Sequence, residues 1–401
     1  MKKIILLILS VATFFTLVAC NNTVNDNKIV IWHDKEQAIE DVLRVALQNA
    51  LPDLDIELVR RESLTDTLKL VGNNPTAAPD MYIFAHDKIG LFAEIGILAP
   101  ITDFIDEEVL LEYLDLTIEA ATYNGTLYQL PLYFETLLFM YNKDRLSLDQ
   151  VPTTTEELYE YMKNNTDSRR YGFVEQHSNA YYSAGWIHGF GGKILNDDGT
   201  PALTDENTLR ALEYKLKFLN YMPSGQAEYA TINTLFFEKR ANSIIAGPWI
   251  VPTVRERGIN LGFAPMPVVS ETGLPIAPYA GIQGIHVLNV AANNPVKRVH
   301  IQSILNVLID PQISIDLALA SGVAPAHHAA YLDENILNDE LVMAMHQAAS
   351  NAVPMPNLPE MDIMWLTASD MLVQINLRGV NVLEAATAAQ KRSEELIDMM
   401  R

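Results

Sequence analysis

The chain has 401 residues, with 28 basic side chains against 50 acidic ones and a formal net charge of −22 at pH 7. A surface of that sign repels nucleic acid and anionic lipid, which excludes both as partners and says little about neutral ligands. A lone cysteine excludes intrachain disulfides, so packing alone holds the fold.

Lys2 and Lys3 precede an apolar run, residues 4–18, that ends in Leu17-Val18-Ala19-Cys20. The run is short for a spanning helix, which needs about 20 apolar residues, and it has the charged start and length of a secretion signal. Residues 1–19 therefore read as a signal peptide. Leu17-Val18-Ala19-Cys20 resembles the bacterial lipobox, which implies lipidation at Cys20 and anchorage on the extracellular face of the cell membrane. Two or more acyl chains, at about 0.8 kcal/mol per buried CH₂, make such an anchor stable. Residues 20–27 are polar and read as a flexible tether. The mature chain of roughly 380 residues suits two or more domains.

The body opens with a strand at residues 28–32. Asp34 and Gln37 form a capping box for a helix whose Ile39, Val42, Leu43, Ala46 and Leu47 fall on one face. A strand follows at 55–60, a helix over Leu64–Val71, a strand at 81–84 and a helix opening near Asp87. This βαβαβ rhythm predicts a parallel sheet covered by helices. Residues 127–141 form a β-like stretch of unusual length between two α/β regions. Thr154-Thr155-Glu156-Glu157 starts a helix, and Leu209, Leu212, Leu216 and Leu219 predict the apolar face of another. Strands return at 243–246 and 282–288, and helices close the chain at 362–377 and 381–400. The fold class is α/β, in two lobes.

Catalytic signatures are absent. Gly189-Phe190-Gly191-Gly192-Lys193 looks phosphate-binding, but Ile187 and Ile194 break the P-loop spacing. There is no GxSxG elbow and no HExxH. His327-His328 is an adjacent pair rather than a metal-ligand spacing, and no metal or cofactor is called for. Asp87 and Glu135 could form a glycosidase pair, although no helical or strand spacing ties them together.

Four segments carry a resemblance. Ala85-His86-Asp87-Lys88 follows the third strand, and Tyr141-Asn142-Lys143-Asp144 ends the long β stretch. Gly247-Pro248-Trp249 ends a later strand, and Met355-Pro356-Asn357-Leu358-Pro359 precedes Met364-Trp365. In this order and spacing they resemble the solute-binding lipoproteins of sugar ABC importers, most closely the maltose/maltodextrin-binding proteins, from about residue 28 to 401. The resemblance implies a two-lobed periplasmic-binding-protein-like fold of type II. Each lobe is a sheet flanked by helices, and an oligosaccharide binds in the cleft between them. It implies an N-terminal lobe of 28–133 and 285–337 and a C-terminal lobe of 138–279 and 343–401. Hinges lie at 134–137, 280–284 and 338–342. It also implies a monomeric receptor, not an enzyme, that delivers its ligand to ABC permease subunits.

Residue by residue, Lys35 after Asp34 matches a lysine that bonds sugar hydroxyls. Asp87 and Glu135 match acidic acceptors, and Lys88 stands where arginine is common. Tyr181, Trp249 and Trp365 match aromatic platforms. Phe84 replaces a tryptophan, Asn179 a glutamate, Leu366 an aromatic residue and Ser369 an arginine. Trp32 and Trp186 lack that context and read as core. These residue types suit a neutral sugar. Flat rings cover its C–H faces, and charged groups bond its hydroxyls at roughly 1.5–3 kcal/mol each before ordering costs.

Overall fold

The structure is a computed structural model describing residues 27–223 and 228–400. The signal peptide, Cys20 and the tether up to residue 26 lie outside the described residues.

The first strands are β1 (Lys28–His33), β2 (Asp55–Arg60) and β3 (Met81–Ala85), linked by helices α1 (Gln37–Ala50) and α2 (Leu64–Val71). β1 pairs in parallel with both β2 and β3, as two consecutive βαβ units require. On α1 the residues Ile39, Leu43 and Leu47 are buried, matching the spacing of the apolar stripe. Its cap differs from the expectation. Glu36, not Asp34, is the N-cap residue, and Gln37 bonds Asp41 instead of reaching back. Asp34 is drawn off to an ion pair with Lys35 at 2.7 Å.

Apart from a small hairpin of Thr122–Tyr123 with Thr126–Leu127, the other strands are β4 (Leu98–Ala99), β5 (Leu130–Thr136), β6 (Leu138–Asn142), β7 (Tyr171–Val174), β8 (Ala241–Ala246), β9 (Leu261–Ala264), β10 (Tyr279–Leu288), β11 (Ala324–Pro325) and β12 (Val353–Pro354). They complete two sheets. The larger has the order β11-β5-β10-β3-β1-β2, with β4 and β12 also paired to β10; the smaller has the order β9-β6-β8-β7. The long β stretch is therefore two strands in different sheets, broken at the fully buried Leu137. The chain passes from one sheet to the other there and returns at β10.

Helices α3 (Thr155–Asn165), α4 (Ala180–His188) and α5 (Glu206–Leu219) cover the smaller sheet. After them come α6 (Glu340–Ala349), α7 (Met361–Asn376) and α8 (Val382–Met400). Thr154 caps α3 in the expected box with Glu157. Residues 343–401, expected in the second lobe, divide: β12 pairs with β10 of the larger sheet, while α7 and α8 pack into the core beside the smaller one. Helix α6 contributes Leu341 and Met345 to a core shared by strands of both sheets.

The buried face of α5 also differs from the leucine stripe. Thr208, Ala211, Leu212, Lys215 and Phe218 are buried, whereas Leu216 is exposed. The face rotates because Lys215 has a partner inside: its Nζ lies 2.7 Å from Glu175 Oε1 and donates to Ser183 Oγ at 3.0 Å. The other carboxylate oxygen accepts from Trp186 Nε1 at 3.0 Å. Burial pulls the Lys215 pKa down, opposed by Glu175. Removing one member of such a pair strands the other charge in the interior. Lys215→Met is therefore expected to cost about 3–5 kcal/mol in urea unfolding. A loss under about 1 kcal/mol would place the pair in the solvated class.

Candidate functional site

Lys35, Asp87, Lys88 and Glu135 sit at the ends of strands in the larger sheet. The β1 strand ends two residues before Lys35, and Asp87 and Lys88 lie in the 3₁₀ turn His86–Lys88 that follows β3. Glu135 is the penultimate residue of β5. The rings come from the other lobe: Tyr181 from the first turn of α4, Trp249 from the turn Pro248–Ile250 after β8, and Trp365 from α7.

These groups meet at one cavity of about 260 Å³, lined by seven of the ten expected ligand residues: Phe84, Asp87, Lys88, Glu135, Tyr181, Trp249 and Trp365. Tyr181 stands between the two tryptophans, with ring centroids 6.2 Å from Trp365 and 6.5 Å from Trp249. Lys35 is one bond away: its Nζ donates to Gln283 Oε1 at 2.7 Å and lies 5.5 Å from the centre of the Phe84 ring. Asp34 is exposed and reaches the site only through Lys35. Asn179 does not line the cavity. It is the N-cap of α4, where its side chain accepts from the Tyr182 N–H. Of the departures from the family pattern, Leu366 is exposed and the Ser369 hydroxyl accepts from the Ala180 N–H. Trp32 and Trp186 are buried in the two cores.

A larger hollow of about 740 Å³ shares Met355 with this cavity, but among the described residues its wall carries Tyr279 and the His188 imidazole, against two tryptophans, a tyrosine and a phenylalanine in the smaller one. Chemistry, rather than volume, favours the smaller cavity.

The polar groups are held before any ligand arrives. Trp365 Nε1 donates to Asp87 Oδ2 at 2.9 Å, a bond from the ring side to the carboxylate side. Lys88 pairs with Asp87 at 3.1 Å and with Asp362 at 3.0 Å, and Lys69 meets the other Asp362 oxygen at 2.6 Å. Burial resists charge on Asp362, and Lys88 and Lys69 outweigh it, leaving its carboxyl below the usual range. His86 accepts from the Ile282 N–H at Nδ1 and so must donate from Nε2 to the Met355 carbonyl at 2.8 Å, which fixes it as neutral. Burial, its largest influence, also lowers its pKa.

Sequence reasoning missed Gln283, Gly281, Ala85 and Met355 on the cavity wall. Met355 belonged to a recognised motif, but only Trp365 was drawn from that region.

The family model for bacterial extracellular solute-binding proteins matches residues 47–344. The chain belongs to that family. A maltotriose-binding protein of Pyrococcus abyssi is 30% identical over 384 residues, covering 93% of this chain and 83% of the relative. A galactooligosaccharide-binding protein of Bacillus subtilis is 27% identical, covering 92% and 91%. Among solved structures, the maltose/maltodextrin-binding domain from Bdellovibrio bacteriovorus bound to maltotriose matches with a TM-score of 0.83 at 23% identity, over 92% of this chain and all of that one. The two-lobed fold is that of the family.

Glu135 carries the most perturbed acid of the cavity. Burial, joined by Glu36 and Asp34 and opposed by Lys35 and Gln283, raises its pKa from 4.5 to about 7. A raised acid stabilises the fold fully below its unfolded value and loses that contribution as pH rises through the folded value. Glu135→Gln is therefore expected to be about 1–2 kcal/mol more stable than the parent at pH 8, with the gain vanishing near pH 4.5. Urea unfolding at both pH values checks this.

Proposed function

We propose that the protein is an extracellular receptor that captures maltose or malto-oligosaccharides between its lobes. It delivers them to an ABC permease by lobe closure. One observation carries the reading: aromatic rings from the smaller-sheet lobe face carboxylates and ammoniums of the larger-sheet lobe across one cavity. A pyranose needs both, since its faces carry C–H bonds and its rim carries hydroxyls. The malto-oligosaccharide and galactooligosaccharide relatives support a sugar of this size.

In this reading Trp365, Tyr181 and Trp249 stack on sugar faces, and Phe84 packs from the opposite lobe. Asp87 and Glu135 accept hydrogen bonds from sugar hydroxyls, and Lys35 and Lys88 donate them. Asn179 and Asp34 support the site from outside the cavity. Segments 134–137, 280–284 and 338–342 serve as hinges, absorbing backbone change while the lobes move as bodies. A lipid on Cys20 and the tether of residues 20–27 hold a single receptor chain within reach of the permease.

Tryptophan fluorescence titrated with malto-oligosaccharides and, separately, galactooligosaccharides tests the assignment. Saturable quenching by maltotriose, with the sugar recovered uncleaved, is the expected result. A response to galactooligosaccharides alone would move the receptor to that sugar class. Silence to every sugar would end the receptor reading. Trp249→Ala is expected to weaken maltotriose binding by about 1–3 kcal/mol, roughly 5- to 150-fold. Unchanged affinity would remove that ring from the site.

A further inference from the structure

Gln283 lies at the irregular point of the larger sheet. On β10 it is opposite Ala85 of β3 and Tyr133 of β5. The next residue, Gly284, is opposite Pro131, so the register with β5 shifts between the two and Leu132 is left over. Such a bulge re-aims the side chains beside it and recurs next to functional sites. It is fixed here by a close approach: a Cβ at Gly284 would stand 2.4 Å from the Leu130 carbonyl oxygen.

The bulge leaves Gln283 on the cavity wall and nearly buried. Its amide is used at both ends. Oε1 accepts from Lys35 Nζ at 2.7 Å, and Nε2 donates to Glu135 Oε1 at 2.8 Å. The amide's orientation follows from chemistry alone. Flipped, it would set its NH₂ against an ammonium and its oxygen against a carboxylate.

We infer that Gln283 is a positioning residue of the ligand cavity: its amide joins the acceptor Glu135 and the donor Lys35 into one unit fixed to the crossover strand. The clamp takes one carboxylate oxygen and leaves Oε2 for a sugar hydroxyl. It also leaves Lys35, which pairs with Asp34 at 2.7 Å, one N–H to donate. The role for ligand rests on the receptor reading above, whereas the clamp itself can be read without ligand.

The charged and titratable groups facing Glu135 are Lys35, Asp34 and Glu36 from the loop after β1, Tyr133 on its own strand, and Tyr181 and Tyr182 from α4. Asp87 and Lys88 share the cavity. Within this set the Gln283 amide and the Lys35 ammonium favour the ionised carboxylate, so losing the amide moves the Glu135 titration upward.

The test uses carbon NMR of labelled glutamate carboxyls in the ligand-free protein, with the Glu135 signal assigned by Glu135→Gln. Gln283→Met keeps the length of the side chain and removes both bonds; it is expected to raise the Glu135 midpoint by about one pH unit. Gln283→Glu keeps the shape and sets carboxyl against carboxyl; it is expected to raise the midpoint by about two. In maltotriose titrations, the affinity lost in Gln283→Met is expected to be about fivefold greater at pH 6 than at pH 8. A midpoint unmoved in both variants overturns the clamp. A moved midpoint with an affinity loss equal at the two pH values overturns its role for ligand. A parent protein that binds no maltotriose overturns the malto-oligosaccharide reading instead, and the midpoints still decide the clamp.

Discussion

The ten-residue strand β10, buried along its whole length, constrains everything at the cleft. It is paired along one edge to β3 and along the other to β5, and its ends take β4 and β12. A slip of one residue would turn every side chain to the opposite face, so its register is fixed by the burial of both. The acceptor side of the cavity is arranged around it. Glu135 lies opposite Gly281, where the missing side chain leaves the carboxylate open to the cleft, and His86 takes the Ile282 N–H. Gln283 reaches Glu135 and Lys35 from the same strand. The polar half of the site is thus as rigid as the sheet. The rings arrive on α4, α7 and the turn after β8, in the other lobe.

Charges in the cavity are compensated before a ligand enters. Asp87 has Lys88 and the Trp365 N–H, Lys88 has Asp362, and Lys35 has Asp34 and Gln283. A charged ligand would have to break one of these pairs and leave a partner desolvated, at a cost of several kcal/mol. A neutral polyol adds hydrogen bonds to the lone pairs and protons left over. The strong acidity of the whole chain is consistent with this, because it acts on charged partners at long range and leaves sugars indifferent.

The local signals of this fold were legible where one element decides them. The alternation of the first three strands with α1 and α2 predicted a parallel sheet, and β1, β2 and β3 form one. Thr154 with Glu157 marked a helix start that the structure keeps. Misreadings occurred where a distant partner overrides the local pattern. Asp34 leaves its cap for Lys35, and Lys215 turns α5 inward to meet Glu175. Gln283 was invisible for the same reason. A lone amide in an apolar strand gives no periodic signal, and its partners lie 248 and 148 positions away. The expected residues that line the cavity were drawn from a family resemblance, and not from any spacing that links them.

The hydrogen bond from Trp365 to Asp87 and the ion pairs of Asp362 with Lys69 and Lys88 join α7 to the larger-sheet lobe. Such bonds across the cleft bear on what a sugar could do in the receptor proposed above. A ligand shifts the opening equilibrium only by the difference between its affinities for the two states. Moving a population from 1:99 to 99:1 takes about 5.5 kcal/mol of that difference. Contacts confined to the rings of one lobe exist in the open form too and contribute nothing to the shift. In the receptor proposed above, the bonds that would close the cleft are those a sugar would gain from Asp87, Glu135, Lys35 and Lys88 while stacked on Tyr181, Trp249 and Trp365. The rigidity of Gln283 and its two partners matters for that step, because groups already ordered lose little entropy when the second lobe brings the sugar to them.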